Sequence, residues 1–117
     1  MSDNIQKYLS YITNVRRYAP HTQRIYSEVL REFSHFAETT TEETLLAALV
    51  PQVIRSYEVF LMDDRELSPR TVHQHLSVLS GFSRFLMKEG LLKTNPVKLV
   101  SRPKTEQRLP VFYREES

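Results

Sequence analysis

Apolar residues recur every three or four positions through four long stretches of the chain, and each stretch predicts an amphipathic helix. The first stretch runs from Ser2 to Arg17, with Ser2 or Asp3 available to cap its start. The second, over residues 20–37, opens at Pro20, because proline suits the first helical turn, where a backbone N–H has no partner anyway. Its inward stripe is Ile25, Val29, Phe33, Phe36 and Ala37.

Two further long helices are predicted in the second half of the chain. The third opens at Pro51, and its inward residues are Val53, Ile54, Tyr57, Phe60 and Leu61. The fourth covers residues 69–89, since Ser68 supplies a capping hydroxyl before it and Gly90 suits the residue that ends it. Its inward residues are Val72, Leu76, Leu79, Phe82 and Leu86, with Val78 and Phe85 beside them.

Shorter elements complete the predicted fold. Thr40 and Glu43 have capping-box spacing and predict a short turn through residues 45–49. Asn95 followed by Pro96 predicts a short fifth helix. The pattern therefore favours an all-α fold, with four helices and a short fifth helix.

Domain organisation follows from length and from the change in composition near the end. The 117 residues are enough for one domain, which we place at residues 1–100. Residues 101–117 are polar and interrupted by proline, which is typical of an extended linker.

Composition excludes several function classes. The chain has no cysteine, so disulfides, thiolate zinc sites and iron–sulfur clusters are excluded. The two glycines, Gly81 and Gly90, are too few for a glycine-rich phosphate loop. No apolar run approaches the ~18–20 residues that span a bilayer, and no secretory signal is visible at the N-terminus. We therefore expect a cytoplasmic protein without a membrane partner.

The formal net charge of +2 is spread unevenly. Residues 1–37 carry +2, residues 38–66 carry −5 and residues 67–114 carry +7. The basic residues of the last stretch are Arg70, Arg84, Lys88, Lys93, Lys98, Arg102, Lys104, Arg108 and Arg114. Such asymmetry suggests a face for a polyanion such as nucleic acid, although two solvated surfaces with chance clustering would look the same.

Polar residues on the outer faces of the second and fourth helices suit contacts to nucleic acid. The stripe on the second helix is Arg24, Ser27, Arg31 and His35. The stripe on the fourth helix is Arg70, His73, Gln74, Ser77, Arg84 and Lys88. These side chains can bind phosphate oxygens or base edges, and a helix fits the major groove of DNA. The alternative is an ordinary solvated face, which normally mixes acidic with basic residues.

No group of residues predicts catalysis or metal binding. His73 and His75 are two positions apart, so they do not share a helix face. Asp63 and Asp64 are adjacent at a predicted helix end, where surface charge is the simpler interpretation. No serine has a recognisable base and orienting acid. We therefore expect no enzymatic activity from this chain alone, and no metal, cofactor or small-molecule substrate.

Two helical segments, residues 18–36 and 67–104, each carry a Pro-x-Thr start and a Phe-x-x-Phe pair. The first segment has Pro20, Thr22, Tyr26, Phe33 and Phe36, and the second has Ser68, Thr71, Leu76, Ser77, Phe82 and Phe85. Then follow Gly90, Asn95, Pro96, Pro103, Lys104, Leu109, Pro110, Glu115 and Glu116. In this order and spacing the residues resemble the N-terminal core-binding, SAM-like domain of a tyrosine recombinase of the phage integrase family, in its Xer-type or transposon-integrase branch.

The resemblance implies a four-helix SAM-like orthogonal bundle that forms half of a clamp around DNA. In the family, helices corresponding to residues 20–37 and 69–89 lie across the major groove, and a separate C-terminal domain carries the catalytic residues. The chain would then be a non-catalytic part of a bacterial, nucleoid-associated recombinase, with residues 101–117 leading to an absent catalytic domain. Chromosome dimer resolution, phage integration, transposition and inversion all remain open as biological roles.

The resemblance and the polar stripes together predict the contacts to double-stranded DNA. Phosphate contacts are expected from Arg24, Arg31, Arg70, Arg84 and Lys88. Thr22, Ser27, Thr71, His73, Gln74 and Ser77 complete the predicted interface, most of them nearer the bases. Where Xer-type helices often carry an Arg-Arg pair, this chain has Gln74 and His75, so its base preference should differ. Other recombinase protomers in a synaptic complex are further expected partners. The alternative is a helical protein–protein interaction module with no DNA role.

Overall fold

The computed structural model describes residues 2–103, which form five α-helices and, within that range, no β-strand. The helices are α1 (Asp3–Asn14), α2 (Pro20–Phe36), α3 (Glu42–Ala48), α4 (Pro51–Val59) and α5 (Pro69–Lys88). A π-helical turn, Phe60–Asp64, extends α4, and a 3₁₀ turn, Pro96–Leu99, follows α5. The predicted all-α class is confirmed. The predicted linker lies mostly outside the described residues, including Lys104, Leu109, Pro110, Glu115 and Glu116.

Helix starts follow the residues that the sequence singled out. The Ser2 hydroxyl oxygen accepts the backbone N–H of Ile5 at 3.2 Å, which caps α1. The Ser68 hydroxyl oxygen accepts the N–H of Thr71 at 3.3 Å, which caps α5. Gly90 follows α5 with a φ of 80°, a left-handed conformation that glycine adopts without steric cost.

Three boundaries differ from the prediction. α1 ends at Asn14 rather than Arg17, because Arg17 has a left-handed backbone conformation with a φ of 56°. The backbone N–H of Tyr18 then donates a hydrogen bond to the Ile12 carbonyl at 2.9 Å. The short element after α2 is a true α-helix, and its capping box joins Thr41 to Thr44, one residue later than predicted.

The third difference concerns the end of α4. The apolar pattern predicted one continuous helix through Phe60 and Leu61. In the structure the helix widens into the π-helical turn at Phe60, and the N–H of Arg65 still donates to the Phe60 carbonyl at 3.0 Å. Leu61 is fully buried, so the wider turn keeps the predicted apolar contact with the core.

Helix α5 is the central element of the core. It packs against α1, α2, the π-helical turn and the 3₁₀ turn. Tyr8 of α1 lies between Phe82 and Phe85 of α5, with ring centroids 5.4 and 5.3 Å away. Tyr57 of α4 packs edge-on against Phe33 of α2 at 5.2 Å. Two aromatic clusters therefore join the four longer helices.

None of the helices within residues 2–103 is both long enough and apolar enough to cross a membrane by itself. Only α3 and α4 with its π-helical turn, taken as a pair bent by 78°, pass the test of length and composition.

A carboxylate from α3 caps the N-terminus of α1. Glu42 accepts hydrogen bonds from the Ser2 hydroxyl at 2.8 Å and from the backbone N–H groups of Asp3 at 2.8 Å and Asn4 at 3.3 Å. Partial burial alone would raise the pKa of Glu42, but these hydrogen bonds outweigh it and lower the pKa. The negative charge also suits the positive end of the helix dipole.

We expect Glu42→Gln to lower the free energy of unfolding by about 0.5–1 kcal/mol at neutral pH, because the amide is a weaker acceptor at this cap. The pKa of Glu42 is lower in the folded chain than in the unfolded one. The stabilisation is therefore present above the ordinary value of 4.5 and is lost as the pH falls below it.

Glu43→Gln is the matched control, since Glu43 is exposed in the same first turn of α3, whereas the hydrogen bonds to Ser2, Asp3 and Asn4 come from Glu42. Urea titrations of both variants and the parent chain, at neutral and acidic pH, check the prediction. Equal stabilities of the two variants at neutral pH would contradict the tertiary cap.

Candidate nucleic-acid interface

Helix α5 presents its predicted polar residues on one exposed face. The exposed residues are Arg70, Gln74, Ser77, Arg84 and Lys88. On the inward face Val72, Leu76 and Phe82 have no exposed area. No aspartate or glutamate occurs between Pro69 and Lys88. The face of α5 is therefore basic and polar along its whole length.

The polar face of α2 is more mixed. Arg24, Arg31 and His35 are exposed, and Ser27 is half-buried beside them. Glu28 is also exposed and adds negative charge near this stripe. Thr22 is half-buried and lies, by its spacing of seven residues, on the side of buried Val29. Thr22 therefore lies away from the arginine stripe of α2, and its place in the DNA interface stays a prediction.

Residues that follow the 3₁₀ turn cover part of the α5 face. The guanidinium of Arg102 donates to the Ser77 hydroxyl at 2.8 Å, and the ring Nε2 of His73 hydrogen-bonds to the Pro103 carbonyl. His73 and Ser77 thus already bind the chain itself, an arrangement that the sequence did not predict. Arg102 therefore adds a positive charge to the exposed face of α5.

A buried hydrogen-bond network fixes the turn beside α5. The Ser80 hydroxyl accepts from Asn95 Nδ2 at 2.8 Å and from the Arg84 guanidinium at 3.0 Å. Asn95 also accepts the N–H of Val97 at 3.0 Å, which caps the 3₁₀ turn. Arg84 lines the groove between α5 and this turn together with Lys93 and Lys98. Three cations therefore border one groove.

At the N-terminal half of α5 the neighbouring surface is acidic. Gln74 shares a groove with Glu28 and Glu32 of α2. Glu32 forms an ion pair with Arg65 and accepts the Tyr57 hydroxyl at 3.0 Å. The basic surface is thus interrupted where Gln74 meets α2.

His75 is buried against Glu32 and does not lie on the outer face of α5. Its Nδ1 donates to the Thr71 carbonyl at 2.9 Å, and its Nε2 lies 3.3 Å from Glu32. Burial lowers the pKa of His75, the hydrogen bond to Thr71 acts in the opposite direction, and the nearby Arg65 guanidinium lowers the pKa further, so the net shift is downward. The Thr71 hydroxyl lies 3.1 Å from the Ser68 hydroxyl, so Thr71 contributes to the cap of α5.

Sequence reasoning missed a depression between α1, α2 and α5 that encloses about 180 Å³. Its polar and aromatic lining comprises Tyr8, Tyr11, Arg16, Tyr18, Tyr26, Arg84, Phe85 and Lys88. The Arg16 guanidinium lies 5.5 Å from the Tyr18 ring centroid, and the Lys88 ammonium lies 5.4 Å from that of Tyr11. Since Arg16 and Lys88 are far apart in the sequence, no local pattern indicates that they converge.

Gly81 lets Tyr8 approach the backbone of α5 at the floor of this depression. A Cβ atom at Gly81 would lie 2.6 Å from the Tyr8 hydroxyl oxygen, well inside contact distance. Tyr8 is 3% exposed and its ring is held by Phe82 and Phe85, so it cannot swing away freely.

We expect Gly81→Ala to lower the free energy of unfolding by roughly 1 kcal/mol, because overpacking outweighs the gain of about 1 kcal/mol in helix propensity. In a Tyr8→Phe background the clash disappears, and the same substitution should stabilise the chain. Thermal unfolding of the four chains in this double-mutant cycle measures the coupling. An effect of Gly81→Ala with the same sign in both backgrounds would contradict the close approach.

Comparisons with known proteins agree with the resemblance of the sequence. The family model described as "Phage integrase, N-terminal SAM-like domain" matches residues 5–90. Proteins named tyrosine recombinase XerC are 30% identical over 114 residues in Leptospira interrogans, 32% over 111 in Pediococcus pentosaceus and 34% over 110 in Thermodesulfovibrio yellowstonii. These alignments cover 92–97% of this chain but 34–36% of the relatives, so the chain spans about a third of their length. No solved structure matches it significantly.

Proposed function

We propose that this chain, which belongs to the family of phage integrase N-terminal SAM-like domains, binds duplex DNA as the clamp domain of a site-specific tyrosine recombinase. The exposed faces of α2 and α5 are the proposed DNA-contacting surface. Arg24, Arg31, Arg70, Arg84 and Lys88 supply the phosphate contacts.

The single observation that carries the proposal is the face of α5. Helix α5 is 20 residues long and contains no aspartate or glutamate. It exposes Arg70, Arg84 and Lys88 along one side. An α-helix of this kind has the diameter to enter a major groove and the charge to bind the phosphates beside it. An ordinary solvated helix face would carry acidic residues among its basic ones.

We propose that recombination as a whole requires parts of the protein beyond the residues of this chain. The relatives are named tyrosine recombinases, and this chain spans about a third of their length. We assign DNA breakage and rejoining to parts of a recombinase outside these residues, and a binding role to this domain. Other recombinase protomers, assembled on the same DNA, are the second class of proposed partner, and the bacterial nucleoid is the proposed location.

Base contacts are proposed mainly from Gln74, with Ser27 on α2. Gln74 is exposed and can reach a base edge, whereas His73 and Ser77 must first release Pro103 and Arg102. Sequence preference should therefore be weak unless residues 101–103 move when DNA binds. For Thr22 and Thr71, which lie near the starts of α2 and α5, we propose only a backbone-positioning role.

Binding of a labelled duplex across a series of salt concentrations tests the proposal. If about five phosphates are neutralised, log K should fall against log salt with a slope of about −4 to −5. Fluorescence anisotropy measures this slope directly. A slope near zero, or no binding at about 50 mM salt, would contradict the phosphate clamp and favour a protein–protein interaction module instead.

A further inference from the structure

The depression between α1, α2 and α5 gathers positive charge that the chain does not neutralise. It is lined by Arg16, two residues beyond the end of α1, and by Arg84 and Lys88 of α5. Among residues 2–103 the ion pairs involve only Glu32, Arg65 and His75, so none of these three cations has a carboxylate partner there. Instead Arg16 and Lys88 lie over tyrosine rings, which hold the cations in place without cancelling their charge.

The floor of the depression carries an unused hydrogen-bond donor. Tyr8 is 3% exposed, and its hydroxyl has no hydrogen-bond partner among the described residues, although it lines the depression beside Gly81. Burial raises the pKa of Tyr8, and neighbouring Tyr26 and Tyr18 raise it further. The hydroxyl therefore remains protonated and can donate to an anion.

We propose that Arg16, Arg84, Lys88 and the Tyr8 hydroxyl form a phosphate-binding pocket that takes one backbone phosphate of the bound DNA. This inference rests on the proposed function and extends it from the faces of α2 and α5 to the end of α1. Several cations with a buried neutral donor suit a phosphodiester group, because its two free oxygens accept hydrogen bonds and its charge is negative.

The pocket also adjoins the proposed DNA face. Arg84 and Lys88 belong both to the exposed stripe of α5 and to the depression. A DNA backbone that follows α5 toward its C-terminal end therefore meets the pocket without leaving the helix. The pocket adds two groups to the proposed interface, the Tyr8 hydroxyl on α1 and the Arg16 guanidinium just beyond the end of α1.

Arg16→Gln tests the pocket, with Arg17→Gln as the matched control. Both substitutions remove one positive charge from adjacent exposed residues, but only Arg16 lines the depression. We expect Arg16→Gln to weaken duplex binding about 5- to 10-fold at about 0.1 M salt and to make the salt slope shallower by at most about 0.9, because Arg84 and Lys88 still bind the phosphate. Arg17→Gln should change affinity by less than about 2-fold, as expected for a screened charge.

A second variant, Tyr8→Phe, tests the contribution of the Tyr8 hydroxyl separately from that of the three cations. Tyr8→Phe keeps the ring and removes only the donor, so duplex affinity should fall about 3-fold while the salt slope stays unchanged. Loss of affinity with a changed slope, or no loss at all, would remove Tyr8 from the pocket. Thermal unfolding of the same variants shows whether any loss of binding reflects loss of the fold.

The outcomes distinguish failure of the pocket from failure of the proposed function. If the parent chain binds duplex DNA with a steep salt slope but Arg16→Gln and Arg17→Gln behave alike, the pocket is overturned and the proposed function stands. If the parent chain does not bind duplex DNA, both are overturned.

Titration with inorganic phosphate, compared with chloride at equal ionic strength, tests whether the bound anion is free phosphate or a phosphate of the DNA backbone. Amide NMR shifts at Tyr11 and Gly81 with inorganic phosphate, but none with the duplex, would overturn the assignment to DNA.

Discussion

Phe82→Ala should lower the free energy of unfolding by roughly 3–5 kcal/mol, the largest effect on stability that we expect from a single substitution. Phe82 has no exposed area and its ring packs 5.4 Å from that of Tyr8. The substitution leaves a cavity in the centre of the core, where α1 and α5 meet. Relaxation can fill only part of it, because the surrounding rings of Tyr8 and Phe85 are themselves packed.

Urea unfolding followed by circular dichroism measures the effect. Met87→Ala is the matched control on the same helix, since Met87 is 38% exposed and its loss should cost less than about 1 kcal/mol. Phe82→Leu is a milder variant that should cost about 1–1.5 kcal/mol. If Phe82→Ala were no more destabilising than Met87→Ala, the assignment of inward and outward faces on α5 would be wrong.

Reversing the charge of Arg70 and Arg84 together should weaken duplex binding on the order of 100-fold at about 0.1 M salt. Each reversal removes a phosphate contact and places a carboxylate beside the DNA backbone. The loss should be similar for unrelated duplex sequences, because phosphate contacts carry no base information. Arg70 is exposed, but the Arg84 guanidinium also donates to the Ser80 hydroxyl at 3.0 Å, so we expect a loss of about 1 kcal/mol in the free energy of unfolding, and thermal unfolding checks that the variant stays folded.

The control reverses the same number of charges elsewhere. Lys7 on α1 and Arg55 on α4 are both exposed and lie outside the proposed interface. Lys7→Glu with Arg55→Glu changes the net charge equally, so it isolates the effect of position from that of total charge. Anisotropy titrations of the two double variants should differ by at least 10-fold. Equal losses would show that binding depends on net charge rather than on the face of α5.

Local signals in the sequence predicted most of the fold. Serine hydroxyls at Ser2 and Ser68 fix helix starts, because a cap needs only a side chain and an N–H three residues away. Gly90 fixes the end of α5 through its own backbone conformation. The apolar stripe of α5 likewise predicted that Leu76, Leu79 and Phe82 would be buried.

Features formed by residues distant in the sequence were not predicted. Glu42 caps α1 from 40 residues away, and Arg102 reaches Ser77 across 25 residues. Neither contact has a periodicity or spacing that could indicate it. The end of α1 was also placed too late, since the turn at Arg17 depends on a left-handed residue that is not glycine.

In the candidate site, too, the local features were predicted and the contacts between distant residues were not. Sequence spacing alone placed Arg70, Arg84 and Lys88 on one exposed face of α5. It did not show that Arg16 joins Arg84 and Lys88 around a depression, because that depends on how α1 packs against α5.

The most direct test of the central claim is an NMR titration of the amide-labelled chain with duplex DNA at low salt. We predict shift changes at Arg24 and Arg31 on α2 and at Arg70, Gln74 and Arg84 on α5. Residues of α3 and the exposed side of α4 should remain unchanged. Shifts confined to α3 and α4, or none under conditions in which the duplex is bound, would contradict the proposed interface.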